Sequence, residues 1–386
     1  MEGPTPASAL IHAATMVTAG VYLIARSHFL FEQSALALHL VTAVGVVTVI
    51  VGGVIACAQD DIKKVLAYST VSQIGYMFLG VGLGPGAYAL GVFHLLTHGF
   101  FKALMFLGAG SVMHGLNDET DMRRMGGLRH VMPVTSWTFI IGWLAIIGAP
   151  PFAGFFSKDQ ILETAFEEGS YLLWAVGLLG AGITAFYMSR LVFMTFFGPS
   201  RVDKDVHPHE SPRSMTVPLL VLAGLSVVGG AALNVTRDGA LTRWFEPVFG
   251  PETPAHGAAL SPIVLTLITV VVVAGGVALA WSRYLSRPVP VTAPERVLAP
   301  VTWARRKLYF DTVYESVLMR PGQYLARALV FVDGRGIDGA VNGTAALVGG
   351  ASGRLRRVQT GFVRSYALGM LGGAVLLVGA LLLVRI

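Results

Sequence analysis

The sequence predicts an all-α, polytopic membrane helix bundle, and three observations carry that prediction. Hydrophobic residues make up 54% of the 386-residue chain and charged residues only 13%, about half the charged share of ordinary soluble domains. Apolar runs of the ~20 residues needed to cross a bilayer recur along the chain: we count nine, at 6–30, 35–58, 62–84, 87–114, 131–163, 170–198, 214–236, 258–285 and 365–385. Without water to satisfy an open backbone, such runs must be helices packed as a bundle. The single cysteine, Cys57, lies inside one of them. A disulfide framework, a thiolate metal site and a cysteine-ligated iron–sulfur centre are therefore excluded.

A net charge of +6 is compatible with nucleic-acid binding, but its placement is that of a membrane protein. If the nine spans alternate, 22 of the 28 Lys and Arg fall on the side of the N-terminus and of the long 286–364 segment. Four fall opposite (Arg26, Arg237, Arg243, Arg385), and Lys102 and Lys158 lie within spans. The positive-inside rule then puts the N-terminal end in the cytoplasm and the C-terminus outside, in a plasma membrane of bacterial type. No secretory signal is visible, since Met1 is followed by EGPTP.

Taken in order, the first span begins at two prolines and turns helical around Ser8. His12 lies about a turn inside it, with Thr15 and Thr18 on the same helix; packing and function stand as equal readings. Span two is bland scaffold, with His39 interfacial and Cys57 in packing. Span three starts on Asp60, Asp61, Lys63 and Lys64, and carries Ser69, Thr70, Ser72 and Gln73 inside. These four either bond neighbouring helices or line a hydrated passage.

Span four, Tyr88 to His114, is the centre of the chain. His94, His98 and Lys102 recur every four residues, one face of a helix over roughly 12 Å. A lysine at mid-bilayer costs roughly 2.5–3.5 kcal/mol on insertion scales, so it faces protein or water and usually has a function there. Span five contains Gly148, Pro150, Pro151 and Gly154, which cannot continue an ordinary helix. A broken membrane helix is the expectation, with Ser157, Lys158 and Asp159 just past the break; discontinuous helices build ion sites in transporters. The alternative is that Lys158 and Asp159 form an interfacial pair.

Span six ends in Arg190, expected to snorkel to the basic side. His207, His209 and Glu210 beyond it read as a solvated turn and only weakly as a metal cluster. The spans near 214 and 258 have no ionisable residue in their middles and serve as scaffold. From 287 to 363, four prolines (Pro288, Pro290, Pro294, Pro300) precede a basic amphipathic stretch suited to lying in the interface plane. Some 50–60 helical residues would reach roughly 75–90 Å, with kinks at Pro321 and the glycines. The last span is an anchor.

Four stretches, GPTPASALIHAATMVTAGVYLI, DDIKKVLAYSTVSQIGYM, FHLLTHGFFKALMFLGAGSVMH and APPFAGFFSKDQIL, occur in an order that closely resembles the antiporter-like membrane subunits of proton-pumping NADH:quinone oxidoreductase, complex I. KLYFDTVYESVLMRPGQYLARAL and the final span resemble the lateral helix and anchor of the distal subunit in that group. The resemblance implies that 1–30 is the last helix of a first repeat, 35–198 the second repeat, 199–286 additional transmembrane helices, 287–363 the lateral helix and 364–386 its anchor. The family's earlier helices have no counterpart before Met1, so half of a proton path is expected here.

The same resemblance assigns Lys102 as the central proton-holding residue, His94 and His98 as its relay, and Lys158 with Asp159 as the exit group. His12 would connect to the missing half. Proton translocation would be driven by electron transfer in other subunits, because this chain has no flavin or nucleotide fingerprint and no cofactor is expected in it. Its partners would be the other membrane subunits, above all neighbouring antiporter-like ones gripped by the lateral helix, with lipid bilayer and protons and no nucleic acid. Two further readings are a subunit of a multisubunit Na+/H+ antiporter and a chiefly structural clamp. A zinc enzyme is disfavoured: His94 and His98 have the spacing, but Leu95 stands where the general-base glutamate belongs. Haem would need a second, facing histidine pair.

Overall fold

Residues 3–233, 239–250, 260–292, 294 and 297–384 are described by a computed structural model, and among them the chain is helical, with one isolated bridge between Asp61 and Asp121 in place of any strand. Arg237 and Arg385, and the span ends at 234–236 and 258–259, lie outside the described residues. Two compact units are present, Met1–Leu308 and Tyr309–Ile386.

The first predicted span is interrupted. Helix α1 (Thr5–Ala9) runs into a π turn at Leu10–Ala14 and stops at Thr15; α2 (Ala19–Arg26) and α3 (His28–Phe31) follow. Thr15 donates both its hydroxyl (2.9 Å) and its amide (3.1 Å) to the Leu10 carbonyl, and the Thr18 hydroxyl takes the Thr15 carbonyl. Side-chain hydroxyls here compete with the helical ladder and win.

Helices α4 (Ala35–Ala58) and α5 (Ile62–Gly82) then pack almost backbone to backbone. A Cβ added at Gly75 would stand 2.6 Å from the Gly45 carbonyl oxygen, and one at Gly52 would stand 2.7 Å from the Ser72 amide. Small residues at such crossings let membrane helices approach closely. Helix α6 (Tyr88–Gly115) lies against α5, and these two are the most enclosed of the long helices.

The predicted break is present. Helix α7 (Pro133–Ile147) ends on Gly148, whose φ of +82° is a left-handed C-cap, and α8 (Ala153–Glu167) restarts beyond the prolines. At Gly154 an added Cβ would fall 1.9 Å from the Ala145 carbonyl oxygen, so only glycine lets the two half-helices overlap. Helices α9 (Tyr171–Phe196), α10 (Arg213–Ala232) and α12 (Pro262–Tyr284) surround this core. Short α11 (Ala240–Phe249), which the sequence pattern did not announce, seats Phe249 against Tyr88 and His28, with ring centroids 5.6 and 5.4 Å apart. Seven of the nine predicted spans are thus single helices long and apolar enough to cross a membrane; the first and fifth are interrupted.

Residues 287–298 are not helical where described, so the predicted start of the long helix is corrected. Helix α13 (Ala299–Arg305) is followed by left-handed φ at Lys307, Leu308 and Tyr309. In the second unit, α14 (Phe310–Tyr314), α15 (Arg320–Phe331) and α16 (Asp338–Arg356) join through π turns at Glu315–Met319 and Val332–Ile337 into one helical run. That run measures roughly 70 Å at the usual rise per residue. The π turns fall just before Pro321 and at Gly334 and Gly336, the kind of site at which long helices bend. Helix α17 (Val363–Val384) completes the unit.

Candidate functional site

Helix periodicity brings Ser69, Gln73 and Tyr76 to one face of α5, and His94, His98 and Lys102 to the facing side of α6. All six are buried. The Lys102 ammonium donates to the Ser69 hydroxyl at 2.6 Å and lies 5.8 Å from the Phe106 ring centroid. Among the described residues it forms no ion pair. A buried cation held by one hydroxyl is an expensive arrangement that proteins keep for ion and proton paths.

The sequence left Ser69, Thr70, Ser72 and Gln73 between two roles, and the structure divides them. Thr70 returns its hydroxyl to the Leu66 carbonyl, and Ser72 donates across to Val49 of α4 at 2.9 Å. Ser69 and Gln73 face the site instead.

His94 is held at both ring nitrogens, Nε2 by Gln73 Oε1 at 3.1 Å and Nδ1 by the Ser157 hydroxyl at 2.9 Å; Ser157 also meets Thr97 at 2.8 Å. One imidazole thereby connects α5 with the start of α8, in the geometry a proton shuttle uses. The His98 ring lies 6.3 Å from that of His94 and 5.4 Å from Phe101. His12, half buried, stacks on Phe106 at 5.7 Å, the ring that also faces Lys102.

Lys158 and Asp159 are neighbours in sequence but part company. Lys158, 2% exposed, directs its ammonium over the Tyr76 ring at 4.8 Å and has no hydrogen-bond partner among the described residues. Asp159 accepts from the Thr266 hydroxyl of α12 at 2.7 Å. The interfacial-pair reading is therefore set aside, because successive helical residues point about 100° apart and each has found a different neighbour.

Several residues here were not predicted. Tyr76 shares the face of Ser69 and Gln73, so its spacing was readable. Tyr187 of α9 is fully buried, donates to Thr184 at 3.4 Å and faces Ser69 and Gln73; only the tertiary fold places it there. Thr97 and Thr266 are of the same kind.

Two further expectations are corrected. Arg190 does not snorkel: it is 2% exposed and donates to the Gln59 carbonyl and the Asp60 carboxylate, which Arg123 also meets at 2.9 Å. The burial of α9 leaves its guanidinium no route to solvent, and Asp60 supplies a counter-charge. Glu210 is no solvated turn residue: it accepts from the Val134 amide and the Thr135 hydroxyl at 2.7 and 2.6 Å, capping α7 where its first amides need acceptors. Among the described residues no cluster of His, Cys, Asp or Glu is fit to hold a metal. In the loop, Arg201 donates to the Met122, Arg123 and Met194 carbonyls. Burial, with the nearby Arg123 charge, holds its guanidinium below the usual arginine range.

Residues 1–184 match the membrane-domain family described as "NADH:quinone oxidoreductase/Mrp antiporter, TM". NADH-quinone oxidoreductase subunit L of Mycobacterium tuberculosis is 54% identical across the whole of this chain, which covers 61% of that relative. NAD(P)H-quinone oxidoreductase chain 5 of a Picosynechococcus species is 43% identical over 97% of the chain and 60% of its own length. The chain thus spans about three fifths of the length of the curated relatives it matches. Among solved structures, the Mrp complex from Dietzia sp. matches with a TM-score of 0.60 and 25% identity, over 88% of this chain and 38% of that one.

Proposed function

From the premise that the chain belongs to the antiporter-like membrane subunits of the NADH:quinone oxidoreductase/Mrp antiporter family, we propose that it translocates protons as a membrane subunit of an NADH:quinone oxidoreductase, in the manner of its subunit L relatives. The observation that carries this reading is the buried chain of exchangeable groups from Lys102 through Ser69 and, past Tyr187 and Gln73, to His94 and Ser157. Lys102 holds the proton. The Ser69 and Tyr187 hydroxyls accept and donate in turn; Gln73 Oε1, an acceptor only, holds the Nε2–H of His94, which leaves Nδ1 to exchange a proton with the Ser157 hydroxyl. Lys158, at the head of α8, receives it, while His12 marks the approach to Lys102 from the π turn after α1.

The energy for this movement comes from electron transfer in other subunits, which are the partners we assign to the chain. No cofactor acts within it. The helical run from Phe310 to Arg356 lies in the interface on the cytoplasmic side against neighbouring antiporter-like subunits, and α17 anchors it. The likeness to an Mrp complex supports a second reading, exchange of Na+ for protons.

The deciding experiment is NADH-driven proton pumping in membrane vesicles containing the assembled complex with Lys102→Ala in this subunit, normalised to electron transfer to quinone. Pumping per electron falls severalfold on this reading while the complex stays assembled. Unchanged pumping overturns it in favour of a structural role, and Na+ uptake replacing proton movement identifies the second reading.

A further inference from the structure

Tyr76 is used by nothing in that relay, yet its ring lies beside the far end. The ring is fully buried, and the Lys158 ammonium stands 4.8 Å from its centroid with no hydrogen-bond partner among the described residues. An ammonium stripped of water finds in an aromatic face an electrostatic partner that needs no proton acceptor.

The ring is fixed for this purpose. Its hydroxyl donates to the Gly177 carbonyl of α9 at 2.6 Å, and a Cβ added at Gly180 would stand 2.8 Å from the same oxygen. The His94 ring meets it at 6.4 Å in an edge-on arrangement. Meanwhile the carboxylate next in sequence, Asp159, is engaged by Thr266. The charged and titratable groups that act on the ammonium are thus Asp159 on its own helix and His94 on α6.

We propose that Tyr76 is a positioning residue whose ring face holds protonated Lys158 at the head of α8, apart from Asp159. A tight lysine–aspartate pair would trap the proton, because releasing it would leave an unpaired buried carboxylate. The ring offers a weaker, non-covalent hold that lapses once the amine is neutral, so the proton can leave without breaking a hydrogen bond. This inference rests on Lys158 being a proton-exchanging group in the proposed function.

The test is proton pumping per electron in the assembled complex carrying the complete subunit, measured across substitutions at Tyr76 and at Lys158. Tyr76→Phe keeps the ring and loses only the bond to Gly177, and pumping stays within about twofold of the parent; Tyr76→Leu loses the ring and falls about tenfold. Fluorinated phenylalanines at position 76, nearly constant in volume, lower pumping stepwise as fluorines withdraw charge from the ring face. Equal pumping along the fluorine series, or equal loss in Tyr76→Phe and Tyr76→Leu, overturns the proposal. Lys158→Ala separates the premises: if it leaves pumping intact, the assigned role of Lys158 fails first. If it abolishes pumping while the fluorine series is flat, the Tyr76 proposal fails alone.

Discussion

At the scale of single residues, the chain spends its few buried charges in two different ways. Asp60 is shared by Arg190 and Arg123, two guanidiniums that are 3% and 8% exposed. This is structural: an ion cluster that ties the start of α5 to α9 and to the loop between α6 and α7. Removing its anion in Asp60→Ala leaves two buried cations unpaired, a change that costs roughly 3–5 kcal/mol in buried clusters and somewhat less here because Asp60 is partly wet. The expected outcome is a clear drop in the thermal unfolding temperature of the detergent-purified protein; Asp60→Glu should recover part of it. Lys102 and Lys158 are the opposite case, cations without a carboxylate in contact. Sequence could tell that they were special, since Lys102 and the two histidines fall at a local four-residue spacing. It could not identify the partners of Arg190, which is 130 residues from Asp60 and was read from its position near a helix end alone.

Among the elements, the interrupted helix does most to position the site. Its prolines and glycines are local signals, which is why the α7–α8 break is legible in the sequence. The interruption after α1 was not, because it depends on which carbonyl the Thr15 hydroxyl selects, a choice that propensity leaves open. Overlap of the half-helices at Gly154 leads to a firm expectation for Gly154→Ala. The new methyl group cannot fit against the Ala145 carbonyl without moving α8, and overpacking of this kind costs typically about 1–3 kcal/mol. Because α8 carries Ser157 and Lys158 of the proposed relay, pumping per electron should fall far more than the amount of assembled complex, as compared by native gel and vesicle assay. Parallel losses of both would mean that the break serves folding alone.

For the whole molecule, the division at Leu308 separates a bundle with a buried polar centre from a unit whose helices have no buried side chain of their own. A chain deleted after Leu308 should therefore keep the unfolding temperature of the bundle within a few degrees while losing association with neighbouring subunits, a contrast that thermal denaturation and native gels can read. The basic, amphipathic character of that unit was plain in the sequence; where its helix begins was not, because three consecutive left-handed residues set it and none is glycine. The close crossing of α4 and α5 has its own consequence. With Gly75 backed onto Gly45 and Gly52 onto Ser72, neither helix can slide or rotate without steric collision. Ser69, Gln73 and Tyr76 therefore sit on a fixed datum, and in the proposed relay movement falls to side chains of α6 and α9 and to α8, in the way a lock keeps its wards still while the bolt travels.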